Sequence, residues 1–240
     1  MLEPDWPAPP GVKAASTERD GGVSRGPYAS LNLGGHVGDA PADVAANRRA
    51  LTRRLDLPGE FCWLEQVHGA RVVDLDREPP GAADAAVTST PGRVCAILTA
   101  DCLPVLLASR DGRRVGAAHA GWRGLAAGVL PAAVARMGDA PESIVAWLGP
   151  AIGPASYEVG ADVLAALGDG APGARRCFAP GRPEHWYADL YALARASLAA
   201  AGVSAVFGGG WCTYSERARF FSHRRQAPCG RMATLIWLAA

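Results

Sequence analysis

The sequence predicts an α+β fold. Short apolar runs bounded by Gly and Pro recur along the whole chain, as buried strands do. Longer helix-like stretches separate some of these runs but not others, so the mixture lacks the strand–helix–strand rhythm of a doubly wound parallel sheet. At 240 residues, nearly half of them hydrophobic, the chain can bury a large core without disulfide staples, and one domain is expected.

Residues 1–20 are polar and Pro-rich and read as an N-terminal arm or an extended edge, which leaves residues 21–240 as the domain. Residues 28–39 (YASLNLGGHVGD) alternate apolar and small side chains and end in a Gly-rich turn. Residues 43–55 read as a helix with Pro41 near its start. Residues 61–67 read as a strand ending at His68-Gly69, and residues 78–93, rich in Pro and Gly, as a loop. Residues 94–98 and 103–108 are apolar runs on either side of a Thr99-Ala100-Asp101 turn, which sets Cys102 at the corner between two strands. Residues 115–118 form a short strand, and residues 125–137 a helix. Pro131 inside that helix removes a backbone hydrogen bond, at a cost on the order of 3 kcal/mol unless the helix bends or restarts there. Residues 143–148 read as a strand leading into the loop GPAIGPASYEVG. Residues 162–167 and 190–201 read as helices, residues 203–207 lead into a triple glycine, and residues 232–238 read as a last buried strand.

The charge balance, 24 basic against 23 acidic residues, provides no field for sequence-independent nucleic-acid binding. Lys13 is the only lysine, so each arginine has to be judged by its context. Six cysteines without paired spacing read as reduced thiols. The N-terminus has no basic segment followed by an apolar one, as a signal peptide would. No apolar run approaches the roughly 18 residues that cross a bilayer. These features lead us to expect a cytoplasmic protein with no nucleic-acid or membrane partner.

Three segments carry the chemistry: EQVHGARV, LTADCLPVLL and AAHAGWRGL. They place His68, Cys102 and His119 at the ends of apolar runs, in corners where Gly leaves the backbone free to bend. Two imidazoles and a thiolate are what zinc takes when one coordination position stays open. The separations are too long for a C-x₂-C finger, so the three have to meet through the fold. A multicopper oxidase would need many more histidines than the five present, His36, His68, His119, His185 and His223. A single copper with weak polyphenol oxidase activity stays open, since copper outcompetes zinc for nitrogen and sulfur ligands. A metal-free hydrolase with Cys102 as nucleophile and His119 or His68 as base is a second alternative. A structural zinc module is a third. It would need a fourth protein ligand, for which Cys95 is the nearest spare cysteine, though in mid-strand.

The segments GGVSRGPYASLNLGGHVGD, NRR, QVHG, TADCLPVLL, HAGWRGL, GPAIGPASYEVG, CTY, FFSHRR and GRMATLIWL together resemble the YfiH-like laccase-domain family, from about residue 20 to the C-terminus. Members are described as purine nucleoside phosphorylases with adenosine deaminase and methylthioadenosine phosphorylase activity, and earlier as polyphenol oxidases. The resemblance implies a single-domain four-layer αββα sandwich and a metal, usually Zn²⁺ with Cu²⁺ possible, on His68, Cys102 and His119. It also implies that Asn32 and Arg48 face the pocket, Arg48 as a phosphate holder. The substrates implied are purine nucleosides and phosphate. The chain departs from the family pattern at Gln226, where an acidic residue often follows the paired arginines, and at Pro131.

The chemistry fits those substrates. A three-ligand zinc makes hydroxide available near neutral pH, which is what deamination at C6 of adenine requires. Zinc deaminases also use a carboxylate to move protons. Asp101, beside the thiolate ligand, and Glu65, just before His68, are the candidates, an orienting role being the alternative for each. Phosphorolysis requires a held phosphate, and a guanidinium such as that of Arg48 binds phosphate bidentately.

Overall fold

The apolar runs form two sheets packed face to face, with helices on both outer surfaces. The computed structural model describes residues 1–57, 63–168 and 170–240. In chain order the elements are β1 (Val12–Ser16), α1 (Pro41–Arg54), β2 (Val72–Asp74), β3 (Ala85–Thr88), β4 (Val94–Thr99), β5 (Leu103–Ser109), β6 (Val115–Ala120), α2 (Trp122–Ala126), α3 (Val129–Met137), β7 (Ile144–Leu148), β8 (Glu158–Gly160), α4 (Ala161–Leu167), β9 (Phe178–Pro180), β10 (His185–Ala188), α5 (Leu190–Ala200), β11 (Ala205–Gly208) and β12 (Met232–Leu238).

The smaller sheet, β1-β12-β4, is antiparallel throughout. The larger runs β11-β7-β5-β6-β3-β2 and is parallel only at its two edges, β11 with β7 and β2 with β3. The period-two alternation of side chains sorts each strand's residues between layers. In β4, Cys95 and Ile97 point at the larger sheet, where they meet Leu106, Ala117 and Trp147. Ala96 and Leu98 point the other way and pack with Leu51 of α1. In β5, Val105 and Leu107 face Leu130 and Val134 of α3 and Leu198 of α5. The layers are therefore α1, small sheet, large sheet and α2–α5, an αββα sandwich. The stretch read as an arm or extended edge contains β1, the edge strand of the small sheet.

Four expectations require correction. Residues 78–93 are not a loop throughout: they contain β3, which lies inside the large sheet between β6 and β2. All four of its residues are buried, so it shows no alternation, and its alanines have weak strand propensity. The strand at 61–67 is not present in its described part. Only Glu65 bridges, to Ala82, and Phe61 and Cys62 lie outside the described residues. The loop 149–160 ends in β8, part of a small third sheet, β8-β10-β9. The helix at 125–137 is two helices, broken at Gly128 with φ +83°. Pro131 is the third residue of α3, where a backbone N–H has no partner within the helix, so the restart removes the penalty of a mid-helix proline.

Chain direction places the functional corner. β4 belongs to the small sheet and β5 to the large one, so the turn at residues 100–102 carries the chain from one sheet to the other. No helix among the described residues is long and apolar enough to cross a membrane.

Pro131→Ala is expected to change the unfolding free energy by less than about 1 kcal/mol, whereas Ala133→Pro, one turn into the same helix, should cost about 3 kcal/mol or more. Urea unfolding of the two variants checks this, and a large loss in Pro131→Ala would contradict the assigned helix start.

Candidate metal centre

His68 lies in the turn that follows the Glu65 bridge, Cys102 immediately precedes β5, and His119 is near the end of β6. Antiparallel pairing of Pro104 with His119 and of Leu103 with Ala120 brings Cys102 alongside His119. The ligand atoms of the three residues lie within 4.8 Å of one another. The two imidazoles meet edge to face, with ring centroids 4.8 Å apart at 71°. Zinc bonds to nitrogen and sulfur are about 2.0–2.3 Å long, so small inward movements would let all three donors reach one ion. His119 is buried, Cys102 half-buried and His68 exposed, which walls the cluster on one side and opens it to solvent on the other.

Asp84, which the sequence reading did not single out, organises this arrangement. Its carboxylate is fully buried and accepts from His119 Nδ1 at 2.8 Å. That leaves Nε2 of His119 for a metal, the usual carboxylate–histidine–metal arrangement. The same carboxylate accepts the backbone N–H groups of Val67 at 3.2 Å, His68 at 2.9 Å and Gly69 at 2.6 Å. His68 is thereby held at φ +61°, a left-handed conformation that a non-glycine residue keeps only when its surroundings enforce it. The available signal was a single acid among the small apolar residues of GAADAAV, since a charge buried there must find partners.

Gly121 was also missed. A Cβ at that position would come within 2.8 Å of Cys102 Sγ and 3.5 Å of His68 Cδ2. Only glycine lets the start of α2 approach the ligands so closely.

The electrostatics follow from the geometry. Burial works against the Cys102 thiolate, but the facing charge of His119 and hydrogen bonds from both imidazoles prevail and bring the thiol down to about 6. Burial likewise opposes charge on His119, yet the Cys102 thiolate and the Asp84 hydrogen bond raise it to about 9. Each shift is the other's cause, and between those values the metal-free pair is a thiolate beside an imidazolium. Asp84 is held below the usual carboxylate range: burial opposes this, and the hydrogen bonds from His119 and the Gly69 N–H outweigh it.

The other expected site residues are placed as follows. Asp101, at φ +91°, accepts Thr213 Oγ1 at 2.6 Å and the Arg224 N–H at 2.7 Å on its two carboxylate oxygens. Glu65 supports the site through its backbone, which bonds Gly81 and Ala83 just ahead of Asp84. Asn32 is buried with its amide fully engaged. Oδ1 accepts the N–H groups of Gly34 and Arg231, and Nδ2 donates to Gly34 O and Asp39 Oδ2. Arg48 donates Nε and Nη2 to Leu33 O at 3.0 and 2.8 Å and stacks over Trp63 at 4.4 Å. Cys95 is buried between the two sheets and is not part of the cluster, which has no fourth ligand-type member among the described residues.

Asp84→Asn is expected to weaken zinc affinity by about 10–100-fold, and Gly121→Ala to weaken it by displacing the Cys102 sulfur. Competition titration with a chromophoric chelator measures both, and unchanged affinity in Asp84→Asn would rule out the orienting role. The titrating pair also sets a proton count. Metal binding needs thiolate and neutral imidazole, so between about 6 and 9 one proton should leave this pair per ion, from His119. Below about 6 the thiol adds a second, and above about 9 none leaves, so affinity falls with falling pH. Calorimetry in buffers of different ionisation enthalpy reads this stoichiometry.

A family model described as multi-copper polyphenol oxidoreductase laccase matches residues 13–239. The chain is 54% identical to a purine nucleoside phosphorylase of Xylella fastidiosa, with 99% of this chain and 96% of that protein covered. It is 52% identical to the purine nucleoside phosphorylase YfiH of Escherichia coli, with 99% and 98% covered. Among solved structures, a Neisseria meningitidis protein superposes with a TM-score of 0.95 at 48% identity, covering 100% of this chain and 99% of that one. YfiH of Bacillus licheniformis superposes with a TM-score of 0.89 at 31% identity, covering 95% and 92%. The chain belongs to the YfiH-like laccase-domain family.

Proposed function

We propose that the chain is a zinc-dependent purine nucleoside enzyme of the cytoplasm. It cleaves adenosine, inosine, guanosine and methylthioadenosine with phosphate, giving free base and ribose 1-phosphate or its methylthio analogue, and it deaminates adenosine to inosine. The observation that carries this reading is the convergence of His68, Cys102 and His119, with an exposed side, in a chain more than half identical to proteins named purine nucleoside phosphorylase. The thiols of Cys95, Cys102, Cys177, Cys212 and Cys229 are free, which suits a reducing compartment.

His68, Cys102 and His119 would hold the ion, which when bound supplies Lewis acidity at the open face. The protein's own part is orientation. Asp84 fixes the His119 ring and the backbone of His68 through one carboxylate. Arg48, anchored on Leu33 O and Trp63, presents a guanidinium of fixed direction to a phosphate. Asn32 shapes the Leu33–Gly34 turn from below. Asp101 accepts one hydrogen bond on each carboxylate oxygen, from Thr213 and from the Arg224 N–H, so it holds those two loops beside Cys102 and keeps a lone pair on each oxygen with which to move protons.

A second reading, a metal-independent hydrolase, is favoured by one observation: Cys102, His119 and Asp84 stand in the order nucleophile, base and orienting acid.

Metal analysis of the purified protein, with adenosine incubated with and without phosphate and products separated by chromatography, tests both. Inosine formed without phosphate establishes deamination, and adenine formed only with phosphate establishes phosphorolysis. Both should disappear with chelator and return with zinc. Activity that survives chelation and dies on alkylation of Cys102 would establish the hydrolase instead.

A further inference from the structure

Two arginines flank one turn in the loop that leads to α1. A Cβ on Gly34 would come within 2.7 Å of Arg231 Cγ, and one on Gly35 within 3.8 Å of Arg48 Nη2. The Gly34-Gly35 turn thus lies between the two side chains, with His36 exposed just after it. Arg231 is built into this place. Its backbone N–H donates to Asn32 Oδ1 at 2.9 Å, its carbonyl accepts the Leu33 N–H at 3.1 Å, and its Nη1 donates to the carbonyls of Cys229 and Gly230 at 2.9 and 3.2 Å. Its Nε and Nη2 and the His36 ring have no hydrogen-bond partner among the described residues. The acid closest along the chain, Asp39, is engaged by Ser24, Asn32 and the Ala40 N–H.

We propose that Arg231 and His36 form a phosphate-binding subsite with Arg48 across the Gly34-Gly35 turn, and that the ligand is inorganic phosphate used as co-substrate. The assignment rests on the phosphorolytic reading above. The turn geometry sets two guanidinium groups on either side of Gly34-Gly35, and burial and then the charges of Arg231, Arg48 and His68 hold the neighbouring His36 below the usual imidazole range. An anion there relieves repulsion among like charges, and a fixed guanidinium gives it directed, charge-assisted hydrogen bonds. In the reaction, an oxygen of hydrogen phosphate bonds to C1′ as the C1′–N9 bond breaks. The bonding pair leaves with the purine, and the phosphate's proton ends on the base.

The test is calorimetric titration of the zinc-loaded enzyme with inorganic phosphate, for the wild type, Arg231→Gln, Arg231→Lys and His36→Gln, together with the KM for phosphate. Arg231→Gln and His36→Gln are expected to weaken phosphate binding and raise that KM by about tenfold or more, with kcat at saturating phosphate falling less and Arg231→Lys recovering part of the loss. His36→Gln sits on an exposed turn and keeps the test valid if Arg231→Gln does not fold. Wild-type protein that does not bind phosphate, or variants that bind it unchanged, would overturn the subsite. Tighter binding of adenosine 5′-monophosphate than of phosphate, lost in the same variants, would overturn the choice of free phosphate. Phosphate binding that depends on Arg231 without any base release would uphold the subsite and refute phosphorolysis.

Discussion

The arrangement of His68, Cys102 and His119 depends on one buried carboxylate. Asp84 accepts four hydrogen bonds, one from the ring of His119 and three from the backbone at residues 67–69. A charge buried without such partners would be driven to neutralise. Satisfied in this way, it ties a loop with almost no regular structure to the interior of the large sheet. The tautomer of His119 and the backbone of His68 are therefore set by the same two oxygens.

That carboxylate is available because β3 lies inside the sheet. Ala85 pairs with Ala118 and with Val72, so the residue just before β3 emerges next to His119. Small side chains along β3 let the helix layer and the second sheet pack close on either face. The crossing from β4 to β5 supplies the other half of the corner. Asp101 turns the chain with φ +91° and is held there by Thr213 and Arg224, which come from far along the sequence. Strain of this kind persists only where several contacts enforce it, and such positions gather at functional sites.

The turn at residues 33–35 is flanked by two guanidinium groups. Arg48 and Arg231 are both tethered to backbone carbonyls, so neither spends much conformational freedom when a ligand arrives. Asn32, expected from the family resemblance at the pocket, bonds Gly34, Asp39 and Arg231 around the turn between them. Asp101, next to Cys102 in the chain, likewise bonds two distant loops, at Thr213 and Arg224.

The sequence by itself determined the donor set, because imidazole and thiolate in glycine-flanked corners are recognisable by residue type. It also determined the strands at 94–98, 103–108 and 232–238, whose bulky apolar runs need burial wherever they lie, and the helix at 43–55. The layering came from likeness to a family, since periodicity does not reveal which strands share a sheet. Only the tertiary structure decided that residues 85–88 form a strand, because buried alanines show no alternation and have little strand preference. It alone decided which nitrogen of His119 faces the ligand cluster, because that choice is made by a carboxylate 35 residues away in the chain and 2.8 Å away in space.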